Sequence, residues 1–186
     1  MTLFIFAAAT PAYSQGSDLP AASPRNFNQE LQFDHLTVED GLSSHQVLTI
    51  LQDSHGFMWF GTFNGLNRYD GHTFTVFRAD PDDPHSISSN IIRTIHEDQQ
   101  GILWIATSIG GLNRFHPVTQ TFSYYLNNPD DPHSLAGNNI YTMFEDSKGY
   151  LWLGTTSHGL DRFDPATQQF TRYRYDPEAP APKQAR

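Results

Sequence analysis

Cysteine is absent from all 186 residues, which removes disulfides, thiol catalysis and thiolate metal ligation together. Basic residues are few: 11 Lys and Arg stand against 20 Asp and Glu, for a net charge of −9. A nucleic-acid surface normally needs clustered Lys and Arg, so that partner class is excluded, and the acidic balance serves mainly solubility. No stretch shows the 3.6-residue apolar period of an amphipathic helix, which rules out a helical solenoid. The apolar run Thr2–Thr10 is too short to span a bilayer. Active-site signatures are missing as well: there is no Gly-x-x-x-x-Gly-Lys phosphate loop, no Gly-x-Gly-x-x-Gly, no Gly-x-Ser-x-Gly elbow and no His-Glu-x-x-His. Nor is there a phosphoacceptor-histidine helix, an ATP lid or a Gly-Gly-Asp-Glu-Phe cyclase motif. The reading is therefore non-enzymatic, with no catalytic residues, no cofactor and no metal.

What the chain does have is aromatics and turn formers. Its 14 Phe, 8 Tyr and 3 Trp are interspersed with 13 Gly and 12 Pro, a composition of short strands joined by turns. At the start, Thr2–Thr10 leads to Ala12 and Ser14, small residues at −3 and −1 of a cleavage point, so 1–14 reads as a secretory signal peptide even though no Lys or Arg follows Met1. Residues 15–30 read as a polar spacer and 177–186, rich in Pro and Ala, as a disordered tail. The expected location is therefore exported, in the periplasm.

A repeat organises the remainder. Trp59, Trp104 and Trp152 stand 45 and 48 positions apart, and each closes the same pattern: Asp53-x-x-Gly56-x-x-Trp59, Asp98-x-x-Gly101-x-x-Trp104 and Asp146-x-x-Gly149-x-x-Trp152. Each is followed by Gly-Leu-x-Arg, ending at Arg68, Arg114 and Arg162, and then by an aromatic pair, Phe74/Phe77, Phe122/Tyr125 or Phe170/Tyr173. The units run over 42–86, 87–134 and 135–176, with 31–41 as a lead-in strand. In the first unit, four strands are predicted at Gln46–Gln52, Phe57–Thr62, Leu66–Tyr69 and Phe74–Phe77. The second is apolar at every position in all three units (Phe57-Met-Trp-Phe60, Ile102-Leu-Trp-Ile105, Tyr150-Leu-Trp-Leu153), so it must be covered on both faces. Four-stranded sheets stacked face to face provide that cover. Repeats of this length with four strands predict an all-β β-propeller holding three blades of an incomplete ring, expected to number seven blades.

The turns fit the same architecture. Asp-x-x-Gly between strands suits a turn whose Asp side chain accepts from backbone N–H groups while Gly takes positive φ. A WD-repeat propeller is disfavoured, because its Gly-His and Trp-Asp dipeptides are not in place.

These residues resemble one family, the two-component regulator propeller repeats of bacterial sensor proteins. The resemblance runs from about Phe33 to Tyr175 and includes Phe33-Asp-His-Leu-Thr-Val-Glu-Asp-Gly41-Leu-Ser, Gly61-Thr62 and Asn64-Gly65-Leu-Asn-Arg68-Tyr-Asp70-Gly71. Two departures are Ala106 in place of Gly and Asp161 in place of Asn. The resemblance implies an extracytoplasmic ligand-sensing region of a signal-transduction receptor, continuing into more repeats, a small β-sandwich, a transmembrane helix and an output domain, either a histidine kinase or a diguanylate cyclase. It implies signalling through the geometry of a propeller dimer.

Three blades do not close a ring, and Phe33–Leu36 aligns with the fourth-strand position of a blade. The sequence thus predicts a fragment of a longer protein or closure by self-association. Implied partners are a small-molecule or glycan ligand and further blades, with the membrane reached only through a downstream segment.

Candidate ligand-contacting residues are His45, Asn90 and Asn138, which sit just before each inner strand, and Arg68, Arg114 and Arg162, which recur on the third strand. An Arg ring suits an anion. The simpler account is an Arg stem covering apolar surface with its head paired to a carboxylate. Asp82, Asp83 and His85, with Asp130, Asp131 and His133, lack the alternating spacing of a calcium loop and read as solvated loops. The Trp residues read as core. Rival functions are a propeller lyase or quinoprotein, a non-catalytic adhesion or scaffold propeller, and a truncated gene product. Near-interchangeable repeats argue against the enzyme, whose catalytic residues would sit in single blades.

Overall fold

The computed structural model describes residues 34–174 and contains strands and turns without a helix among them. The signal peptide, the spacer and the tail fall outside the described residues. Twelve strands form three antiparallel sheets of four, each in sequential order, which are the three propeller blades. Blade one holds β1 (Val47–Gln52), β2 (Met58–Thr62), β3 (Gly65–Tyr69) and β4 (Phe74–Phe77). Blade two holds β5 (Ile92–Glu97), β6 (Leu103–Thr107), β7 (Leu112–His116) and β8 (Thr121–Tyr125). Blade three holds β9 (Ile140–Glu145), β10 (Leu151–Thr155), β11 (Leu160–Asp164) and β12 (Gln169–Tyr173). In blade one each strand lies within one residue of its sequence-based position.

Of the lead-in segment 31–41, residues 34–41 are among those described. Within 34–41 a single bridge residue, His35, is followed by a turn. In the turn, the Asp40 carboxylate accepts from the Thr37 backbone N–H (2.8 Å) and hydroxyl (2.9 Å).

The all-apolar second strands are explained by stacking. On β6, Leu103 and Ile105 face blade one, whereas Trp104 and Ala106 face blade three. One core lies between blades one and two, where Trp59 and Leu66 meet Ile92, Ile105 and Phe115. A second repeats it between blades two and three, where Trp104 and Leu112 meet Ile140, Leu153 and Phe163. Trp59 lies edge-on to Phe115 at 5.1 Å between ring centres, and Trp104 stands in the same relation to Phe163 at 5.2 Å, a geometry favoured by the ring quadrupoles. The hydrophobic core therefore belongs to pairs of blades.

Close approach explains the small residue on β2. A Cβ added to Gly61 would stand 2.5 Å from Thr49 Cγ2 on its own inner strand and 2.6 Å from Ile92 Cγ2 on the next blade. Glycine here lets two sheets touch.

The inner strands β1, β5 and β9 lie side by side at the edge of each sheet, so they line one wall around the propeller axis. Each carries an irregularity at its second residue. Pairing skips Leu48 between Val47 and Thr49, Arg93 between Ile92 and Thr94, and Tyr141 between Ile140 and Thr142. A bulge leaves the extra residue out of the ladder and re-aims its side chain.

Candidate functional site

The repeat motif is a structural clamp. In each blade the motif Asp links its turn to its Trp. Asp53 Oδ1 accepts from the backbone N–H of His55 (3.0 Å) and Phe57 (2.9 Å), and Oδ2 accepts from the Trp59 indole Nε1–H (2.7 Å). Asp98 does the same for Gln100, Ile102 and Trp104, and Asp146 for Lys148, Tyr150 and Trp152. Gly56, Gly101 and Gly149 take φ of 90°, 76° and 82° to close the turn. The Trp152 indole N–H, helped by the backbone of Lys148 and Tyr150, holds the Asp146 carboxyl below the usual carboxylate range. Backbone acceptance by Asp was expected; the indole bond was not.

A contact missed in the sequence joins the motif turn to the next blade. Glu97, at the end of β5, accepts from the Ser54 backbone N–H at 2.7 Å and from its hydroxyl. Glu145, at the end of β9, is bonded to His96 Nε2 at 2.9 Å and accepts from the Gln99 N–H. An acidic residue closing each of these two inner strands was the signal available. Between the first pair of blades the clamp borders a cleft of about 140 Å³, lined by His55, Phe57, Arg68, Glu97 and Pro117 among others.

The six candidate ligand contacts do not form one constellation. Asn90 and Asn138 stand at the loops that enter β5 and β9. Asn90 Oδ1 accepts from the Ala79 N–H (2.8 Å) and its carbonyl from the Gly65 N–H (2.8 Å); Asn138 does the same with Asn127 (2.6 Å) and Gly111 (2.9 Å). The side chains thus fasten the inter-blade loops, and the carbonyls tie one blade to the turn of the preceding one. His45 is exposed ahead of β1. Arg68, Arg114 and Arg162 lie towards the other end of their blades, paired across the ladder with Trp59, Trp104 and Trp152. Their guanidinium groups rest on aromatic rings, with no carboxylate paired to them among the described residues: Arg68 lies 5.0 Å from the Phe57 ring centre, Arg114 6.0 Å from Trp104 and Arg162 4.4 Å from Tyr150. The rings are supplied by the second strand itself (Trp104) or by the residue just before it (Phe57, Tyr150).

The inner wall carries a different set. Arg93, at the β5 bulge, lies 5.5 Å from the Tyr141 ring centre and 6.0 Å from that of Phe63, and its Nη2 donates to the Ser108 hydroxyl at 3.3 Å. Tyr141 is 65% exposed and Phe63 41%. A shallow depression of about 330 Å³ is lined there by Leu48, Thr49, Arg93, Thr94, Tyr141 and Thr142. Neighbouring positions repeat from blade to blade while the bulge residue does not (Leu48, Arg93, Tyr141), and that contrast was the only signal in the sequence.

The departure at Asp161 also has a structural meaning. Asn67 spans from the Ser43 N–H and hydroxyl to the Phe60 carbonyl, and Asn113 does so from Ser88 to the Ile105 carbonyl. In blade three the pair has become Asp161 and Ala136. Asp161 Oδ2 accepts from the Ala136 N–H at 2.7 Å, while buried Oδ1 has no partner. Burial pushes the Asp161 carboxyl up, against the opposing pull of the Ala136 N–H, Arg172, Arg174 and His158.

Asp83 and Asp131 use their Oδ1 atoms to close their own loops on His85 and His133, and Asp80 Oδ1 accepts from Asp82 N–H. Among the described residues no group of three or more His, Asp and Glu is placed to hold a metal ion, and no helix is long and apolar enough to cross a membrane.

Comparison with known proteins matches this geometry. Residues 41–64, 86–108 and 134–157 match the family model described as two component regulator propeller, one match per blade. Histidine kinase P4 of Formosa agariphila is 46% identical over 68 residues, covering 37% of this chain and 5% of the kinase. The extracellular domain of a protein assigned to a hybrid two component system of B. thetaiotaomicron superposes with a TM-score of 0.70 at 37% identity, covering 75% of this chain and 20% of that one. The extracellular domain of a protein assigned to a one component system of the same organism follows at 0.60 and 31%, covering 72% and 19%. The chain therefore spans a twentieth of the kinase it matches and about a fifth of each solved domain.

Proposed function

As a chain of three two component regulator propeller repeats, this protein is, we propose, part of the exported sensing region of a bacterial two-component-type receptor. The observation that carries the reading is the one-to-one match of blades to family repeats, combined with likeness to extracellular domains of two-component-system proteins. The apolar leader agrees with export. The chain contributes binding and geometry, not chemistry: its recurring polar contacts are spent on turns, loops and blade junctions. Ligand binding on the axis side biases how blades and partner subunits pack, and the bias reaches an output domain as a population shift. Periplasmic placement and histidine-kinase output are parts of this proposal.

The test is to read the native gene beyond the codon for Arg186. The expected result is further Asp-x-x-Gly-x-x-Trp repeats, then an apolar span of about 20 residues and a signalling output domain. A frame without that span and output overturns the receptor reading.

A further inference from the structure

We propose that the inner-strand wall holds a carboxylate-binding site anchored by Arg93, taking a small monoanionic ligand with a flat body. The proposal deepens the sensing reading and rests on it. Its starting point is the difference between arginines that recur and one that does not. Arg68, Arg114 and Arg162 stand once per blade, each on its own blade's aromatic ring, as a scaffold element should. Arg93 occurs in blade two alone, at a bulge where the other blades carry Leu48 and Tyr141.

Its surroundings fit a ligand better than a fold requirement. Like the three recurring arginines, Arg93 has no carboxylate partner among the described residues; unlike theirs, the rings beside it are exposed. The guanidinium lies 6.0 Å from the Phe63 ring centre and 5.5 Å from that of Tyr141, and both rings are exposed. The two rings hold the guanidinium by cation–π attraction and the Ser108 hydroxyl fixes one nitrogen, so a planar donor set is positioned before any ligand arrives. A carboxylate matches that fork. Arg93 is the one cation lining the depression, which suits one negative charge; a phosphate dianion calls for a second. Tyr141 and Leu48 offer the body of the ligand an apolar rest, and Thr49, Thr94 and Thr142 supply one hydroxyl-bearing side chain per blade for its polar edge. A sugar acid and an aromatic acid share this chemistry.

The test uses the full chain labelled with ¹⁵N-arginine, its Arg93 Nε–H resonance assigned by its loss in Arg93→Lys. Glucuronate and benzoate are titrated, each against its neutral counterpart, glucose and benzyl alcohol. The expected result is a saturable shift of the Arg93 resonance by one acid, which identifies the source, and no shift by its neutral counterpart. Arg93→Gln, with the spectrum of the folded chain retained, should weaken that acid by roughly tenfold or more, as loss of a charge-assisted bond requires. If neither acid moves the resonance, or a neutral counterpart moves it equally, the proposal is overturned. The sensing reading fails separately: acid binding far from Arg93 sinks this site and leaves it standing, whereas a gene lacking a membrane span and output sinks the receptor and leaves the site.

Discussion

Trp59 and Trp152 occupy the same place in the same motif, with the same bond to an Asp at 2.7 and 2.8 Å, yet Trp59 is 1% exposed and Trp152 is only partly buried. Their neighbours diverge in the same way: Leu66 is 0% exposed, and its counterpart Leu160 is 38%. The first face lies against another blade, and the second has none among the described residues. The comparison separates two levels of order. The clamp is made within a blade from seven consecutive residues and forms in blade three without a following blade among the described residues. The core is made between blades, so identical side chains have different energetic weight according to where their blade stands.

The sharpest way to break the comparison is to remove the tryptophans singly. Trp59→Ala or Trp104→Ala should cost about 3–5 kcal/mol, the range for large-to-small changes at buried aromatic sites. Trp152→Ala should cost clearly less, measured by urea unfolding of the 186-residue chain. Equal losses at all three positions would mean that the clamp, not the interface, carries the stability.

A smaller effect is expected at the close approach of β2. Gly61→Ala should destabilise by about 1–3 kcal/mol through overpacking against Thr49 and Ile92. Gly154→Ala meets only Thr142 Cγ2, at 2.8 Å, and no neighbouring blade, so a turn of one side chain should accommodate it. Thermal unfolding of the two variants side by side gives the answer.

The smallest effect tests the Asp161 junction, where blade three departs from the Asn of the other two. Asp161 has a folded-state pKa raised by burial, so the stability of the protonated form is fully present at low pH and is lost as pH rises through that raised value. Asp161→Asn restores the donor that Asn67 and Asn113 provide. It should therefore stabilise the chain at neutral pH by about 1 kcal/mol, the net worth of a hydrogen bond, with the advantage shrinking as the pH is lowered. An advantage that stays constant from pH 4 to 8 would show that Asp161 does not titrate in this range.

The strands of blade one were legible because their apolar and turn residues recur with the repeat, and the doubly apolar second strand announced stacking before any coordinates. Other features were hidden for physical reasons. The bond from the Trp59 indole to Asp53 needs the chain to reverse between them, and spacing alone does not say which atoms then meet. The rings under Arg68, Arg114 and Arg162 come from the second strand or the residue just before it, so a carboxylate partner was the natural guess. The bulges at Leu48, Arg93 and Tyr141 leave no mark on alternation, since one extra residue looks like any other until pairing is known.

The bulges also have a consequence for how such chains change over generations. A residue held in a ladder or packed between sheets is answerable to its neighbours, and altering it risks the fold. Leu48, Arg93 and Tyr141 stand outside the pairing register, so each escapes that constraint. Duplicating a blade therefore copies a scaffold that must be inherited intact together with one letter that is free to drift. Three copies already spell an aliphatic, a cation and an aromatic on the same wall, and a longer array would multiply the combinations without a single new fold having to be invented.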